Sequence, residues 1–171
     1  MKIFLIAGKA RSGKDETAKI IKKHLGKSVK LSFARYIKVY AQDISGWDGS
    51  DENKPRTLLN EIGDRLRKED KFFLIKRIIE DINLYRFYFD NIIISDVRLV
   101  DEIKEIKKHS TDKVITIKLF TDELKGNLSD SERKHFTETE LDDYNDFDYI
   151  IKNEYDESLE LKIIEMLEEI K

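Results

Sequence analysis

The sequence of 171 residues is long enough for one domain with a sizeable core, and its 40% hydrophobic and 39% charged residues are typical of a globular protein with an ionised surface. A net charge of −3 gives no general attraction to nucleic acid or to an anionic membrane, and no stretch is apolar enough for a signal peptide or a membrane span. The absence of cysteine excludes disulfides, thiolate metal sites and cysteine nucleophiles and fits a reducing compartment. Since neither a signal peptide nor a membrane span is indicated, we expect a cytoplasmic protein.

Apolar runs and helical spacings alternate along the chain. Short apolar or alternating stretches predict strands, and longer segments with apolar residues at helical spacing predict helices. Strands are predicted at 3–7, 29–33, 91–95, 114–120 and 148–151, and helices at 14–25, 36–44, 58–66, 72–84, 100–106 and 159–170. This alternation predicts an α/β fold, a parallel sheet of about five strands with helices on both faces.

Two regions do not follow this alternation. Residues 121–144 are polar, charged and without sustained periodicity, which predicts a long mobile lid within a single domain of residues 1–171. Residues 72–90 are rich in Phe and Tyr, which favours core packing for most of these aromatics and leaves a homodimer surface as the alternative.

A phosphate-binding motif follows the first predicted strand. Residues 8–14 match G-x-x-x-x-G-K between a strand and a helix, the context in which backbone N–H groups and a helix N-terminus hold phosphates. Lys14 is expected to reach the β- and γ-phosphates, and Asp15 stands where Ser or Thr usually contacts Mg²⁺. The predicted ATP-binding residues of this segment are Gly8, Lys9, Ala10, Arg11, Ser12, Gly13, Lys14, Asp15 and Glu16.

Other charged residues follow predicted strands or lie in the lid. Asp96 and Arg98 come directly after the strand at 91–95, where ligands collect in open parallel sheets, so Arg98 can clamp an acceptor phosphate. Arg11 in the loop would face the transferring phosphate, and Arg133 would close on it from the lid. The predicted catalytic residues are Lys14, Asp15, Arg11, Asp96, Arg98 and Arg133, and the predicted Mg²⁺ ligands, directly or through water, are Asp15 and Asp96.

The loop with Asp after its lysine resembles that of phage-type deoxynucleoside monophosphate kinases and animal-type phosphomevalonate kinases. Further segments that resemble one or both groups lie at 56–63, 95–98, 135–138 and 146–153, in the same order along the chain. The resemblance implies the three-layer P-loop nucleoside monophosphate kinase-like fold. It also implies acceptor binding by Arg56, Asn60, His135 and Glu138 beside Asp96 and Arg98, and places Asn153 near the nucleotide base.

The leading hypothesis is therefore a kinase that moves the γ-phosphate of ATP, with Mg²⁺, to a (deoxy)nucleoside monophosphate. Two alternatives remain: a kinase of a non-nucleotide phosphate similar to phosphomevalonate kinase, and a nucleotide sensor without catalysis. The expected partners are small-molecule nucleotides, without nucleic acid or membrane.

Overall fold

The computed structural model describes residues 1–122 and 136–170, without the side chains of Phe136 and Glu138. Its strands are β1 (Lys2–Ala7), β2 (Ser28–Leu31), β3 (Asn91–Val97), β4 (Lys113–Phe120) and β5 (Tyr149–Lys152). Its helices are α1 (Lys14–Leu25), α2 (Ala34–Ser45), α3 (Arg56–Glu69), α4 (Phe73–Tyr85), α5 (Val100–His109), α6 (Phe136–Thr139) and α7 (Ser158–Glu169).

The five strands form one parallel sheet in the order β2-β3-β1-β4-β5. The central strands are buried on both faces, which is why their sequences read as continuous apolar runs. Helices α1 and α7 pack on one face around Ile21 and Ile163. On the other face, α4 and α5 bury Ile78 and Ile103 in a second apolar cluster. The predicted three-layer α/β architecture is confirmed.

Three element boundaries differ from the prediction where the site lies. Strand β2 ends at Leu31 instead of residue 33, because the chain turns there and the backbone N–H of Phe33 donates to Asp96. Strand β3 continues to Val97, past the predicted end at residue 95. Helix α3 begins at Arg56 instead of residue 58, and the N–H of Leu59 donates to the carbonyl of Pro55 at 3.0 Å. Proline suits the start of a helix because the N–H that it lacks would have no helical partner there.

The described end of the predicted lid has regular structure. Helix α6 lies within it, and Leu141 is buried, so the expectation of no secondary structure through residue 144 is wrong at this end. Lys118 Nζ donates to the carbonyls of Leu141, Asp142 and Tyr144 at 2.8, 3.3 and 3.2 Å. These bonds fix the chain to β4 where it returns to the sheet.

The aromatic region divides between core and surface. Phe72, Phe73 and Tyr85 pack against the core, whereas Phe87 and Tyr88 are 80% and 68% exposed. Core packing is therefore confirmed for the first three, and a homodimer through the exposed pair stays a prediction. Within residues 1–122 and 136–170, no helix has the length and apolar character that crossing a membrane requires.

Candidate active site

The loop between β1 and α1 has a backbone that requires glycine. Gly8 has φ +147° and Gly13 has φ +98°, in the region that L side chains rarely adopt. A Cβ atom on Gly8 would lie 2.5 Å from the carbonyl oxygen of Leu119, and one on Gly13 would lie 2.2 Å from Asn153 Nδ2. Arg11, between them, also has a positive φ of 65°. Residues of positive φ within a turn direct successive backbone N–H groups toward one side, which makes an anion-binding concavity. The loop therefore fits a phosphate.

The turn between β5 and α7 donates side-chain hydrogen bonds to the backbone of this loop. Asn153 is 3% exposed, and its Nδ2 donates to the carbonyl of Ser12 at 3.0 Å while its Oδ1 accepts from the N–H of Tyr155 at 2.8 Å. The hydroxyl of Tyr155 donates to the carbonyl of Arg11 at 2.9 Å. The resemblance placed Asn153 beside the nucleotide base; the structure gives it direct contact with the loop backbone.

Lys14 is buried and lies against the inner side of the loop. Its Nζ donates to the carbonyls of Gly8 at 2.8 Å and Lys9 at 2.6 Å, and the residue is 8% exposed. As the first residue of α1 it stands where the helix N-terminus adds positive potential. Its ammonium group is therefore held against the loop, where it can neutralise a bound phosphate.

Asp15 is held by two side chains from neighbouring strands. Its Oδ1 accepts from Lys30 Nζ at 2.5 Å and from Ser95 Oγ at 3.1 Å. Burial acts to raise the pKa of Asp15, but the hydrogen bond and charge of Lys30, with help from Ser95 and Lys14, outweigh it and lower that pKa. The carboxylate is thus kept ionised beside Lys14, as its predicted role as a Mg²⁺ ligand requires.

The acidic residues fit the way in which Mg²⁺ binds with nucleotide phosphates. This ion usually keeps several waters and takes one or two carboxylates plus substrate phosphates. Among residues 1–122 and 136–170, no group of three or more His, Asp or Glu side chains could hold a metal ion by itself. Asp15 would hold the metal with the phosphates, and the bound ion would supply charge neutralisation during phosphoryl transfer.

Asp96 also binds the chain at the start of helix α2. Its Oδ2 accepts from Ser32 Oγ at 2.7 Å and from the N–H of Ala34 at 2.9 Å, and its Oδ1 accepts from the N–H of Phe33 at 3.1 Å. These donors lie at the start of α2, so Asp96 caps that helix from the end of β3. Its role as a Mg²⁺ ligand stays a prediction.

A cleft of about 240 Å³ opens beside the phosphate loop. It contains Arg56 and Asn60, which lie one turn apart on α3, together with Asp96 and Arg98 from β3 and the turn that follows it. Among the described residues, its lining is Ala10, Phe33, Ala34, Ile37, Lys54, Arg56, Leu59, Asn60, Gly63, Arg67, Asp96, Arg98, Glu102 and Thr137. Its four cationic residues outnumber its two acidic ones, Asp96 and Glu102, which favours an anionic ligand.

Glu102 lines this cleft and is 2% exposed. Its Oε2 accepts from the backbone N–H groups of Arg98 at 2.7 Å and Leu99 at 3.0 Å. Burial raises the pKa of Glu102 to about 7, although these two hydrogen bonds and the charge of Arg67 act in the opposite direction. Asp96 adds to the rise because a like charge disfavours ionisation.

The remaining predicted residues are distributed as follows. Lys9 forms an ion pair with Asp142 at 2.9 Å, and Glu16 pairs with Lys19 at 3.2 Å on the surface of α1. Arg133 and His135 lie outside the described residues, and Glu138 belongs to α6 without a described side chain. Their predicted contacts with substrates stay predictions.

Comparison with known proteins supports the fold. No family model matches the sequence. The chain is similar to a phosphomevalonate kinase of Drosophila melanogaster, with 27% identity over 98% of this chain and 95% of that protein.

Two solved structures superimpose over nearly the whole chain. Shikimate kinase from Aquifex aeolicus has a TM-score of 0.55 at 16% identity, covering 98% of this chain and 96% of that one. APS kinase from Mycobacterium tuberculosis, solved with AMPPNP and APS, has a TM-score of 0.53 at 13% identity, covering 98% and 95%. The chain therefore has the P-loop nucleoside monophosphate kinase-like fold that it shares with these kinases.

Proposed function

We propose that this protein transfers the γ-phosphate of ATP, with Mg²⁺, to a small acceptor that already carries a phosphate. The observation that carries the proposal is the junction of two sites. Ala10 of the phosphate loop and Arg98 after β3 line the same cationic cleft. A donor phosphate held by the loop and an anion held in the cleft would therefore meet at this junction.

Phosphoryl transfer depends mainly on positioning and charge neutralisation, and each side chain of the site would supply one of these functions. Lys14 would hold the β- and γ-phosphates, and Asp15 the metal ion. Arg98 and Arg56 would orient the acceptor phosphate. A phosphate acceptor is already anionic, so the reaction requires no general base.

A nucleoside monophosphate is the leading acceptor in this proposal. This acceptor is supported by the sequence resemblance to phage-type kinases at Arg56 and Asn60. Both residues line the cleft, as acceptor-binding residues would. The apolar wall formed by Ile37 and Leu59 would pack against the less polar part of the acceptor.

A non-nucleotide phosphate is the second candidate. It is favoured by the similarity to a phosphomevalonate kinase along almost the full length of both chains. The cleft is also compatible with it, since four cations would accommodate an acceptor with an anionic group besides its phosphate.

Transfer of label from [γ-³²P]ATP tests the proposal and separates the two acceptors. The panel contains ribo- and deoxynucleoside monophosphates, phosphomevalonate and a sugar phosphate, each with its unphosphorylated counterpart. We expect label on one phosphorylated class, and we expect Arg98→Ala to raise the KM for that acceptor by roughly 10- to 100-fold, the cost of a lost charged hydrogen bond.

The outcomes are distinct. Label on nucleoside monophosphates supports the leading acceptor, and label on phosphomevalonate alone replaces it with the second. ATP binding without transfer to any member of the panel would contradict the kinase proposal and favour the nucleotide sensor.

A further inference from the structure

The turn between β3 and α5 connects the predicted acceptor clamp to a buried carboxyl. Arg98 is the first residue after β3, and Glu102 lies in the first turn of α5. Glu102 Oε2 accepts from the backbone N–H of Arg98 itself and from that of Leu99. One carboxylate oxygen therefore fixes both peptide groups between the strand and the helix.

A carboxylate at the third helical position often caps its own helix by accepting the N–H of the N-cap residue. Glu102 makes that bond to Leu99, but two features go beyond it. It also binds the peptide N–H of Arg98, one residue farther back, and it is 2% exposed in the wall of the cationic cleft. An ordinary surface cap requires neither feature.

Burying a carboxyl group costs free energy unless hydrogen bonds and nearby charge compensate it. Two peptide N–H donors and the charge of Arg67 on α3 supply part of that compensation here. Arg67 also lines the cleft, so Glu102 lies between the peptide group of one cleft cation and the charge of another. Loss of Glu102 would release the turn that sets the direction of Arg98.

We propose that Glu102 is a positioning residue for the acceptor, because it fixes the backbone of Arg98 so that the guanidinium faces the cleft. The proposal rests on the proposed function for the identity of the ligand, but its geometric part can be tested without turnover. It predicts that Glu102 acts on acceptor binding through Arg98 and has no separate effect on ATP.

A double-mutant cycle of Glu102→Ala and Arg98→Ala tests the coupling, with the KM of the acceptor from the labelling panel as readout. We expect Glu102→Ala to raise that KM by about 10-fold, within the range that a misplaced positioning group produces, and to leave the KM for ATP within about 2-fold. In the Arg98→Ala background, Glu102→Ala should add less than about 2-fold, because the group that it positions is already missing.

Two further variants separate positioning from loss of fold. Glu102→Gln keeps an oxygen that can accept both N–H bonds, and it should stay within about 3-fold of the wild-type acceptor KM. Glu105 lies on the same helix and forms ion pairs with Lys108 and His109. Glu105→Ala is therefore the control and should leave both KM values unchanged. Independent, multiplicative effects of Glu102→Ala and Arg98→Ala would overturn the proposal, as would a Gln variant as impaired as Ala.

A binding measurement keeps this inference separable from the proposed function. Inorganic phosphate is titrated into Mg·ADP-loaded protein, and the NMR signal of Arg98 Nε–Hε is followed. The signal should shift in the wild type and in Glu102→Gln, and not in Glu102→Ala. If no acceptor is phosphorylated but this pattern appears, the kinase proposal fails and the positioning role stands. Equal shifts in all three proteins would overturn the positioning role.

Discussion

Lys30 Nζ lies 2.5 Å from Asp15 Oδ1, so the residue after Lys14 is paired with a cation from the edge strand β2. Ser95 Oγ donates to the same oxygen from β3. The carboxylate that replaces the usual Ser or Thr of the loop is therefore held in place by two strands. These two bonds fix the direction of the Asp15 carboxylate.

Replacing Lys30 should change the titration of Asp15. We expect Lys30→Met to raise the pKa of Asp15, because the hydrogen bond and the charge of Lys30, which lower that pKa, would be lost. The side-chain ¹³C shift of Asp15, followed against pH in metal-free buffer, measures this. Lys19→Met, which removes a cation paired with Glu16 on the same helix, is the control and should leave the titration of Asp15 unchanged.

The same pair should contribute little to stability. A depressed carboxyl pKa stabilises the folded state above the unfolded pKa, and this contribution is lost as the pH falls through the folded pKa. Because both side chains are more than a third exposed, Lys30→Met should lower the free energy of unfolding at pH 7 by no more than about 1 kcal/mol. A larger loss at pH 7 would show that Lys30 does more than pair with Asp15.

The backbone of the loop should not tolerate a side chain at Gly8. A methyl group there would meet the carbonyl of Leu119 in β4, and neither backbone can move without disturbing the sheet. We expect Gly8→Ala to lower the free energy of unfolding by about 1–3 kcal/mol and to weaken ATP binding. Gly26→Ala is the matched control: its φ is also positive, at +56°, but nothing lies within 4 Å of the added carbon, so about 1 kcal/mol or less should be lost. Denaturant unfolding measures both.

Much of the fold was predictable, for a physical reason. A strand buried on both faces must be apolar throughout, so β1 and β3 appear as runs of isoleucine and other apolar residues. The glycines of the loop were predictable too, since a backbone wrapped around phosphate excludes side chains. Helix α6 was not, because four residues are too few to carry a helical period.

The supports of the candidate site were harder to predict. Lys30 and Asp15 are 15 residues apart, and the hydroxyl of Tyr155 contacts a carbonyl 144 residues earlier. Such contacts depend on which strands become neighbours, which no local period encodes. Glu102 offered only a weak signal, an acidic residue in the first turn of a helix, and its burial follows from the packing of α5 beside the cleft.

Asn153 should matter for the stability of the loop. Removing its side chain leaves the carbonyl of Ser12 and the N–H of Tyr155 without their bonds in a buried place. We expect Asn153→Ala to lower the free energy of unfolding by about 1–3 kcal/mol and to raise the KM for ATP. Asn145→Ala, a matched change at an exposed asparagine, should alter the free energy of unfolding by no more than about 0.5 kcal/mol. An Asn153→Ala protein with unchanged stability and ATP binding would contradict the supporting role.

Glu102 should give the protein a pH-dependent stability. Its pKa rises from an ordinary 4.5 to about 7, so between these pH values the folded state holds a proton that the unfolded state has released. The contribution of Glu102 to the free energy of unfolding therefore falls as the pH rises through this window, by on the order of 3 kcal/mol. Glu102→Gln should remove this decline, and Glu105→Gln should retain it. Parallel unfolding curves for wild type and Glu102→Gln across pH 4.5–7 would contradict the raised pKa.

The most direct measurement is the formation of ADP from Mg·ATP and the acceptor panel by wild-type protein and by Lys14→Ala. The ammonium group of Lys14 is bonded to the carbonyls of Gly8 and Lys9 in the phosphate loop, so its loss should reduce turnover by at least about 100-fold while the thermal unfolding transition stays cooperative. That result would place phosphoryl transfer at this loop. A folded Lys14→Ala protein with near wild-type turnover would contradict the account.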